Sequence, residues 1–245
     1  MTSKVALVTG SATGIGRASA IRLAKQGFAV AVNYSRSAQE EEETLHEVQK
    51  LGVPTLLIRA NVARDDEVRQ MVERIIQEWG RVDVLVNNAG TTRFIDHRQL
   101  DALTEEIWDE ILGVNLKGAF YCCRAVIPHM LAKDGGAVVN ISSVAGIVGI
   151  GSSIPYAASK GALNTMTRSL ARAFAPKIRV NAVAPGPVLT RWLADHMDHV
   201  ERQLAFTPMQ RAATAEDVAD VVCFLVTGTT YITGQVIVVD GGRTM

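Results

Sequence analysis

Tyr156 and Lys160 stand four residues apart in Pro155-Tyr156-Ala157-Ala158-Ser159-Lys160. On a helix, positions i and i+4 share a face, so an ammonium lies within reach of a phenol. A nearby positive charge favours phenolate and lowers a tyrosine pKa from its usual value of about 10. Such a tyrosine can move protons near neutral pH. Taken alone, the spacing equally fits a pair that only packs and meets solvent. Two companions favour chemistry: a glycine-rich turn near the N-terminus and the Ser142-Ser143 pair, with Ser143 thirteen residues before the tyrosine. The set points to a nicotinamide-dependent oxidoreductase.

These residues need a frame, and the hydrophobic pattern supplies one. Short apolar runs, rich in β-branched residues, recur at Val5–Thr9, Ala29–Asn33, Thr55–Arg59, Val84–Asn87, Ala137–Ile141, Arg179–Val183 and Val236–Val239. Amphipathic stretches such as Arg64–Trp79, Thr104–Ala132, Tyr156–Phe174 and Ala215–Leu225 lie between them. Continuous apolar strands separated by helices predict a parallel sheet covered on both faces. Right-handed crossovers make it doubly wound. The expectation is an α/β, Rossmann-like fold of about seven strands, forming a single domain over residues 1–245. One segment breaks the rhythm: residues 185–210 carry three prolines, two histidines and Trp192. A long insertion beyond a strand end reads as a binding loop, a substrate lid at about residues 187–212.

Composition narrows the function. Twenty-five basic residues balance twenty-five acidic ones, so no global field draws nucleic acid or an anionic membrane. Cys122, Cys123 and Cys223 form neither a zinc pattern nor a disulfide framework, and no metal-ligand spacing occurs. No uncharged apolar segment approaches the ~20 residues of a transmembrane helix. The apolar start, Val5–Val8, ends in a glycine turn and reads as a buried strand rather than a signal peptide. The expected location is cytoplasmic, with reduced thiols.

The first strand runs into Thr9-Gly10-Ser11-Ala12-Thr13-Gly14-Ile15-Gly16 and then a helical pattern. Glycines at 10, 14 and 16 allow a tight turn and let backbone amides approach a diphosphate at the helix N-terminus. After the second strand the chain reads Val32-Asn33-Tyr34-Ser35-Arg36-Ser37, with no carboxylate to hold a ribose 2′-hydroxyl. Arg36 supplies charge for a 2′-phosphate, and Ser35 and Ser37 supply donors, so NADP(H) is favoured over NAD(H). Ser37 and Glu40 also fit a helix capping box, a reading that coexists with phosphate binding.

With these motifs in order, the chain resembles the short-chain dehydrogenase/reductases over almost its whole length. The T-G-x-x-x-G-I-G turn is Thr9–Gly16, and N-N-A-G is Asn87-Asn88-Ala89-Gly90. The family's asparagine falls on Asn115, its serine on Ser143, and its Y-x-x-x-K on Tyr156 and Lys160. The P-G motif is Pro185-Gly186, with Val188 and Thr190 following; Thr190 is placed to hold the nicotinamide carboxamide. The resemblance implies Tyr156 as general acid/base, Lys160 lowering its pKa and holding the nicotinamide ribose, and Ser143 donating to the substrate oxygen. It implies that Asn115 holds a water linking Lys160 to solvent. It also implies a homotetramer, with the Thr104–Ala132 and Tyr156–Phe174 helices across one interface and Ala215–Leu225 with the last strand in another.

Two departures stand out. Asn61, followed by Val62, replaces the aspartate that many relatives carry near adenine, and Thr13 stands where some NADP-preferring relatives have a basic residue. Arg36 is therefore expected to support a 2′-phosphate largely alone. The chain ending, with Tyr231-Ile232-Thr233-Gly234-Gln235 and Asp240-Gly241-Gly242, resembles that of 3-oxoacyl-[acyl-carrier-protein] reductases. It is also like that of sugar, steroid and secondary-alcohol dehydrogenases, so a thioester or small-molecule carbonyl is the expected substrate. A carrier-protein partner calls for a basic patch, for which Lys133 and Lys177 are the candidates. Segments 91–95 and 146–153 and Pro187 are expected walls, with Arg93 a polar marker and His97, His196 and His199 ordinary loop histidines. The rival class, a non-catalytic dinucleotide-sensing regulator, predicts a broken Ser–Tyr–Lys set, and here it is intact.

Overall fold

Val5-Ala6-Leu7-Val8 forms strand β1, and every residue in it is buried. Such a strand needs cover on both faces, which only a sheet flanked by two helix layers provides. The computed structural model describes residues 3–36, 38–191 and 204–245. The further strands are β2 (Ala29–Tyr34), β3 (Thr55–Arg59), β4 (Val84–Asn87), β5 (Gly136–Ile141), β6 (Ile178–Pro185) and β7 (Val236–Val239). They form one seven-stranded sheet in the order β3-β2-β1-β4-β5-β6-β7, parallel at each pairing. The chain starts in the middle, winds to one edge, then returns past β1 to build the other half. That reversal opens a crevice at the carboxyl ends of β1 and β4, the place where such sheets bind ligands.

The helices are α1 (Gly14–Lys25), α2 (Ala38–Gln49), α3 (Asp65–Trp79), α4 (Glu105–Leu112), α5 (Ala119–Leu131), α6 (Ala145–Val148), α7 (Ile154–Phe174) and α8 (Ala215–Cys223). One face of the sheet packs under α3, α5 and α7 through Met71, Ile75, Val126, Met130 and Ala171. The other packs under α1 and α8 through Ala20, Leu23, Val218 and Val222. No helix among the described residues is long and apolar enough to cross a membrane.

The helix expected over Thr104–Ala132 is broken. A π-helical turn, Gly113–Gly118, separates α4 from α5 and contains Asn115. Gly118 is why the turn can lie so close to the loop after β3: a Cβ there would stand 2.9 Å from Val62 Cγ2. π turns of this kind occur often at functional sites. The pattern at Ala215–Leu225 likewise ends early, passing into a π turn at Phe224–Gly228.

The two limbs of the expected lid are tied at their base. Val188 pairs with Ala213, Leu189 N–H donates to Ala213 O at 2.9 Å, and Ala213 N–H donates to Pro187 O at 3.0 Å. Residues 192–203 of that lid, with Trp192, His196 and His199, lie outside the described residues.

Candidate active site

The first turn adopts the left-handed backbone that only glycine takes freely, with φ of 60° at Gly10 and 57° at Gly14. A Cβ on Gly10 would sit 2.8 Å from Ala89 Cα, so this turn and the Asn88–Gly90 segment lie against each other. Asn88 Nδ2 donates to Thr9 O at 3.0 Å and to Gly10 O at 2.7 Å. Thr9 Oγ1 accepts from the N–H groups of Asn88 at 3.0 Å and Ala89 at 3.1 Å. Asn88 thus fixes the glycine turn as well as lining the cavity above it. The first turn of α1 has no acidic residue and no side-chain cap, leaving its amides to an anion.

A cavity of about 740 Å³ runs above these groups from the Ser35–Arg36 corner to Tyr156. Gly10, Thr13, Gly14 and Ile15 form its floor, and Asn88, Ala89 and Gly90 continue it. Asn61 and Val62 line one wall; Pro185, Gly186, Val188 and Thr190 line another. The Thr190 methyl overlies Gly14, where a Cβ would stand 3.1 Å from it. A glycine cradle, an open helix N-terminus and an elongated cavity fit a dinucleotide. Two expected contacts lie elsewhere. Ser11 is buried below the turn, its hydroxyl donating to Val8 O at 2.9 Å and accepting from Asn33 N–H at 3.0 Å. Gly16 is buried beneath Gly10, where a Cβ would meet Gly10 O at 2.5 Å. Neither lines the cavity, because the turn itself screens both.

At the nucleotide end, Ser35 and Arg36 are exposed and also line a second cavity of about 430 Å³ with Arg59, Asn61 and Glu67. Arg36 is therefore not alone. Arg59 closes β3 opposite Tyr34 in the parallel register, and its Nε donates to Ser35 O at 3.4 Å. Ser37 lies outside the described residues. Asn61 is partly committed: its Oδ1 accepts from Ala63 N–H at 3.1 Å, and its own N–H donates to Glu67 Oε2 at 2.8 Å.

At the other end, the start of α7 brings Tyr156 and Lys160 to the cavity wall beside Ser143. Lys160 is only 4% exposed, and its Nζ donates to Ile141 O at 2.8 Å. Burial pulls its pKa from 10.5 down to about 8. The ammonium sits over the Tyr156 ring, 5.7 Å from the centroid. The expected depression of the tyrosine pKa is not found. Burial pushes the Tyr156 phenol up, and a hydrogen bond with Ser143 works against that. Desolvation of the charged form dominates, and Lys160 is anchored on the Ile141 carbonyl.

Asn115 is 1% exposed and does not line the cavity. Its Oδ1 accepts from Thr91 N–H at 2.8 Å, while Nδ2 donates to Thr91 O and to Ser159 Oγ, both at 3.0 Å. Ser159 Oγ in turn donates to Tyr156 O at 2.7 Å. Both Asn115 donors are spent, so the expected water link to Lys160 has no Asn115 N–H to hold it. The side chain instead ties the π turn to the first turn of α7 and the Thr91 loop.

The same order of elements recurs in known proteins. Residues 10–244 match the family described as Enoyl-(Acyl carrier protein) reductase. A protein assigned as ketoacyl reductase 2 of the granaticin polyketide synthase from Streptomyces violaceoruber is 46% identical, over 97% of this chain and 95% of its own. A 3-oxoacyl-[acyl-carrier-protein] reductase of Staphylococcus aureus is 42% identical, over 99% of each chain. The chain belongs to the short-chain dehydrogenase/reductase family. It is an oxidoreductase of that family, and its fold superposes on a Serratia marcescens short-chain dehydrogenase/reductase with a TM-score of 0.92, at 33% identity over 99% of this chain and 98% of that one.

In this short-chain dehydrogenase/reductase the expected walls Thr91, Phe94, Ile150, Gly151, Ser152 and Pro187 do line the cavity. Arg93 does not; its guanidinium pairs with Glu110 at 2.6 Å, and Glu110 lines the cavity with Asp109. His97 also stays off the wall. Lys133 and Lys177 precede β5 and β6, with Gly136 N–H donating to Lys177 O at 3.1 Å. They occupy the amino ends of these strands, across the sheet from the site, and cannot flank it. Sequence reasoning missed Arg59, whose only signal is its place at the end of the strand paired with β2. It also missed Arg243, a cavity-lining residue just after Asp240-Gly241-Gly242.

Proposed function

We propose that this protein is an NADP(H)-dependent reductase interconverting a carbonyl and a secondary alcohol, with a 3-oxoacyl thioester as the favoured substrate class. The observation that carries it is the hydrogen-bonded Tyr156–Ser143 pair on the wall of the cavity whose far corner holds Ser35, Arg36 and Arg59. A reduced nicotinamide, when bound, supplies the hydride. Tyr156 gives its phenolic proton to the oxygen of the forming alcohol. Ser143 donates a hydrogen bond to the same oxygen and stabilises the charge that gathers there. Lys160, with its ammonium over the Tyr156 ring, lends positive charge in its protonated form and holds the nicotinamide ribose. Asn115 acts as a positioning residue through Ser159.

NADP(H) is favoured over NAD(H) because two guanidinium groups, on Arg36 and Arg59, converge where a 2′-phosphate would sit. The thioester class draws on the similarity to 3-oxoacyl and ketoacyl reductases; a sugar, steroid or other secondary alcohol is the alternative. The protein works in the cytoplasm as a homotetramer in this reading, with residues 187–212 as a substrate lid on one domain. Exposed Phe120 on α5, and Val238 and Met245 near edge strand β7, are apolar surface suited to subunit contacts. Gel filtration giving a monomer at micromolar concentration contradicts the tetramer.

The test is the oxidation of NADPH and of NADH by acetoacetyl-thioester, diketone and cyclic-ketone substrates, beside a Tyr156→Phe control. Turnover preferring NADPH and the thioester supports the reading. Tenfold preference for NADH overturns the coenzyme assignment, and undiminished Tyr156→Phe turnover overturns the proton donor.

A further inference from the structure

Among the described residues Arg243 has no ion-pair partner. The turn that holds it is pinned by Asp240, whose Oδ1 accepts from Gly242 N–H at 2.9 Å. Asp240 Oδ2 accepts from Thr244 N–H at 2.8 Å and Thr244 Oγ1 at 2.7 Å. The Asp240 carboxylate, three residues before Arg243, is thus spent on the turn. Gly241 and Gly242, with φ of 67° and 85°, let the chain fold back so tightly. The turn packs on the loop after β6, where a Cβ on Gly186 would stand 2.9 Å from Asp240 Cβ.

From this fixed turn Arg243 lines the same cavity as Ser143 and Tyr156. Its Nε is buried and has no hydrogen-bond partner, and among the described residues its guanidinium makes no ion pair. The two carboxylates that line the cavity, Asp109 and Glu110, lie on α4, and Glu110 is held by Arg93. A buried donor without a partner is costly, and an anion that accepts from it offsets that cost. The planar fork of a guanidinium matches the paired oxygens of a carboxylate or phosphate.

We propose that Arg243 is a substrate-specificity residue that binds an anionic oxygen group on the carbonyl substrate. The proposal deepens the reductase reading above and rests on it. The anion belongs either to a carboxylate on the substrate's own carbon skeleton or to the phosphate of a phosphopantetheine arm on a thioester.

The experiment compares wild type with Arg243→Met and Arg243→Lys. The substrates are a ladder of oxo acids with one to four carbons between carbonyl and carboxylate, each against its methyl ester. Acetoacetyl-pantetheine with and without its terminal phosphate completes the set. The expected result is a wild-type preference for one anionic member over its neutral partner. Arg243→Met should reduce that preference about ten- to a hundredfold while leaving the neutral partner unchanged, and Arg243→Lys should keep part of it. The pair that responds identifies the source of the anion. Equal loss on charged and neutral substrates, or no loss on either, overturns the proposal. Calorimetric titration of the same oxo acids into the protein with bound NADP+, which has no hydride to give, is a readout independent of turnover. Failure of every carbonyl to be reduced refutes the reductase reading, whereas binding that ignores the Arg243→Met change refutes the role of Arg243.

Discussion

The two ends of the long cavity use cations in opposite ways. At the catalytic end Lys160 is sealed between α7 and the end of β5, and burial moves its pKa into reach of neutral pH. At the nucleotide end Arg36 and Arg59 stand exposed at the ends of β2 and β3, where solvent surrounds them. A group that must shift its proton balance has to leave water, whereas one that only has to remain charged gains from staying in it. One cavity thus holds two dielectric regimes, with Lys160 buried at the catalytic end and Arg36 and Arg59 exposed at the nucleotide end.

Removing each cation in turn breaks the comparison most sharply. Lys160→Met should lower kcat/KM by at least about a hundredfold with either coenzyme, because it removes the charge beside Tyr156 and the donor that holds the nicotinamide ribose. A loss confined to NADPH would erase the distinction between the two ends. The pH dependence of stability follows in size. Because the folded-state pKa of Lys160 lies near 8 and the ordinary value is 10.5, the unfolded chain holds the proton between those limits. Stability contributed by this group therefore rises as pH climbs from 8 to 10.5, by about 3 kcal/mol, and burying the charge is most costly below pH 8. Urea unfolding of wild type and Lys160→Met across that window should show wild type gaining relative to the variant; a flat difference would mean the lysine is not desolvated.

The double variant Arg36→Ala with Arg59→Ala should cut kcat/KM for NADPH about ten- to a hundredfold and leave NADH within about twofold. An equal fall for both coenzymes would mean that these arginines support the local backbone instead. The smallest effect concerns the wall that joins the ends. Gly118→Ala forces a methyl against Val62, which costs about 1–3 kcal/mol in urea unfolding and should weaken coenzyme binding through Val62. An unchanged midpoint would show that the π turn has slack.

Much of this was legible in the chain. Apolar runs ending in glycine or polar residues located all seven strands to within a few residues; the inner five are buried on both faces and admit little else, while edge strands β3 and β7, only partly buried, keep the same β-branched composition. Gly10 and Gly14 announced their turn because no other residue takes that backbone cheaply. Arg59 was invisible for a different reason. It lies more than twenty residues from Arg36, and only the parallel register of β2 and β3 brings it alongside. The π turn was hidden because apolar spacing from Thr104 to Ala132 fits a regular helix; the close approach of Gly118 to Val62 and the Asn115 bonds to Thr91 and Ser159 are long-range contacts.

By itself the sequence determined the strand–helix alternation, the glycine cradle and the Tyr156–Lys160 spacing, since each depends on local backbone preference or helical repeat. Tertiary structure alone decided the direction of the Tyr156 pKa, the commitment of Asn115 to Thr91 and Ser159, and the exclusion of Lys133 and Lys177 from the site. It also brought Arg243 to the cavity. Burial and dielectric are properties of what surrounds a residue, and those surroundings are assembled from segments far apart along the chain.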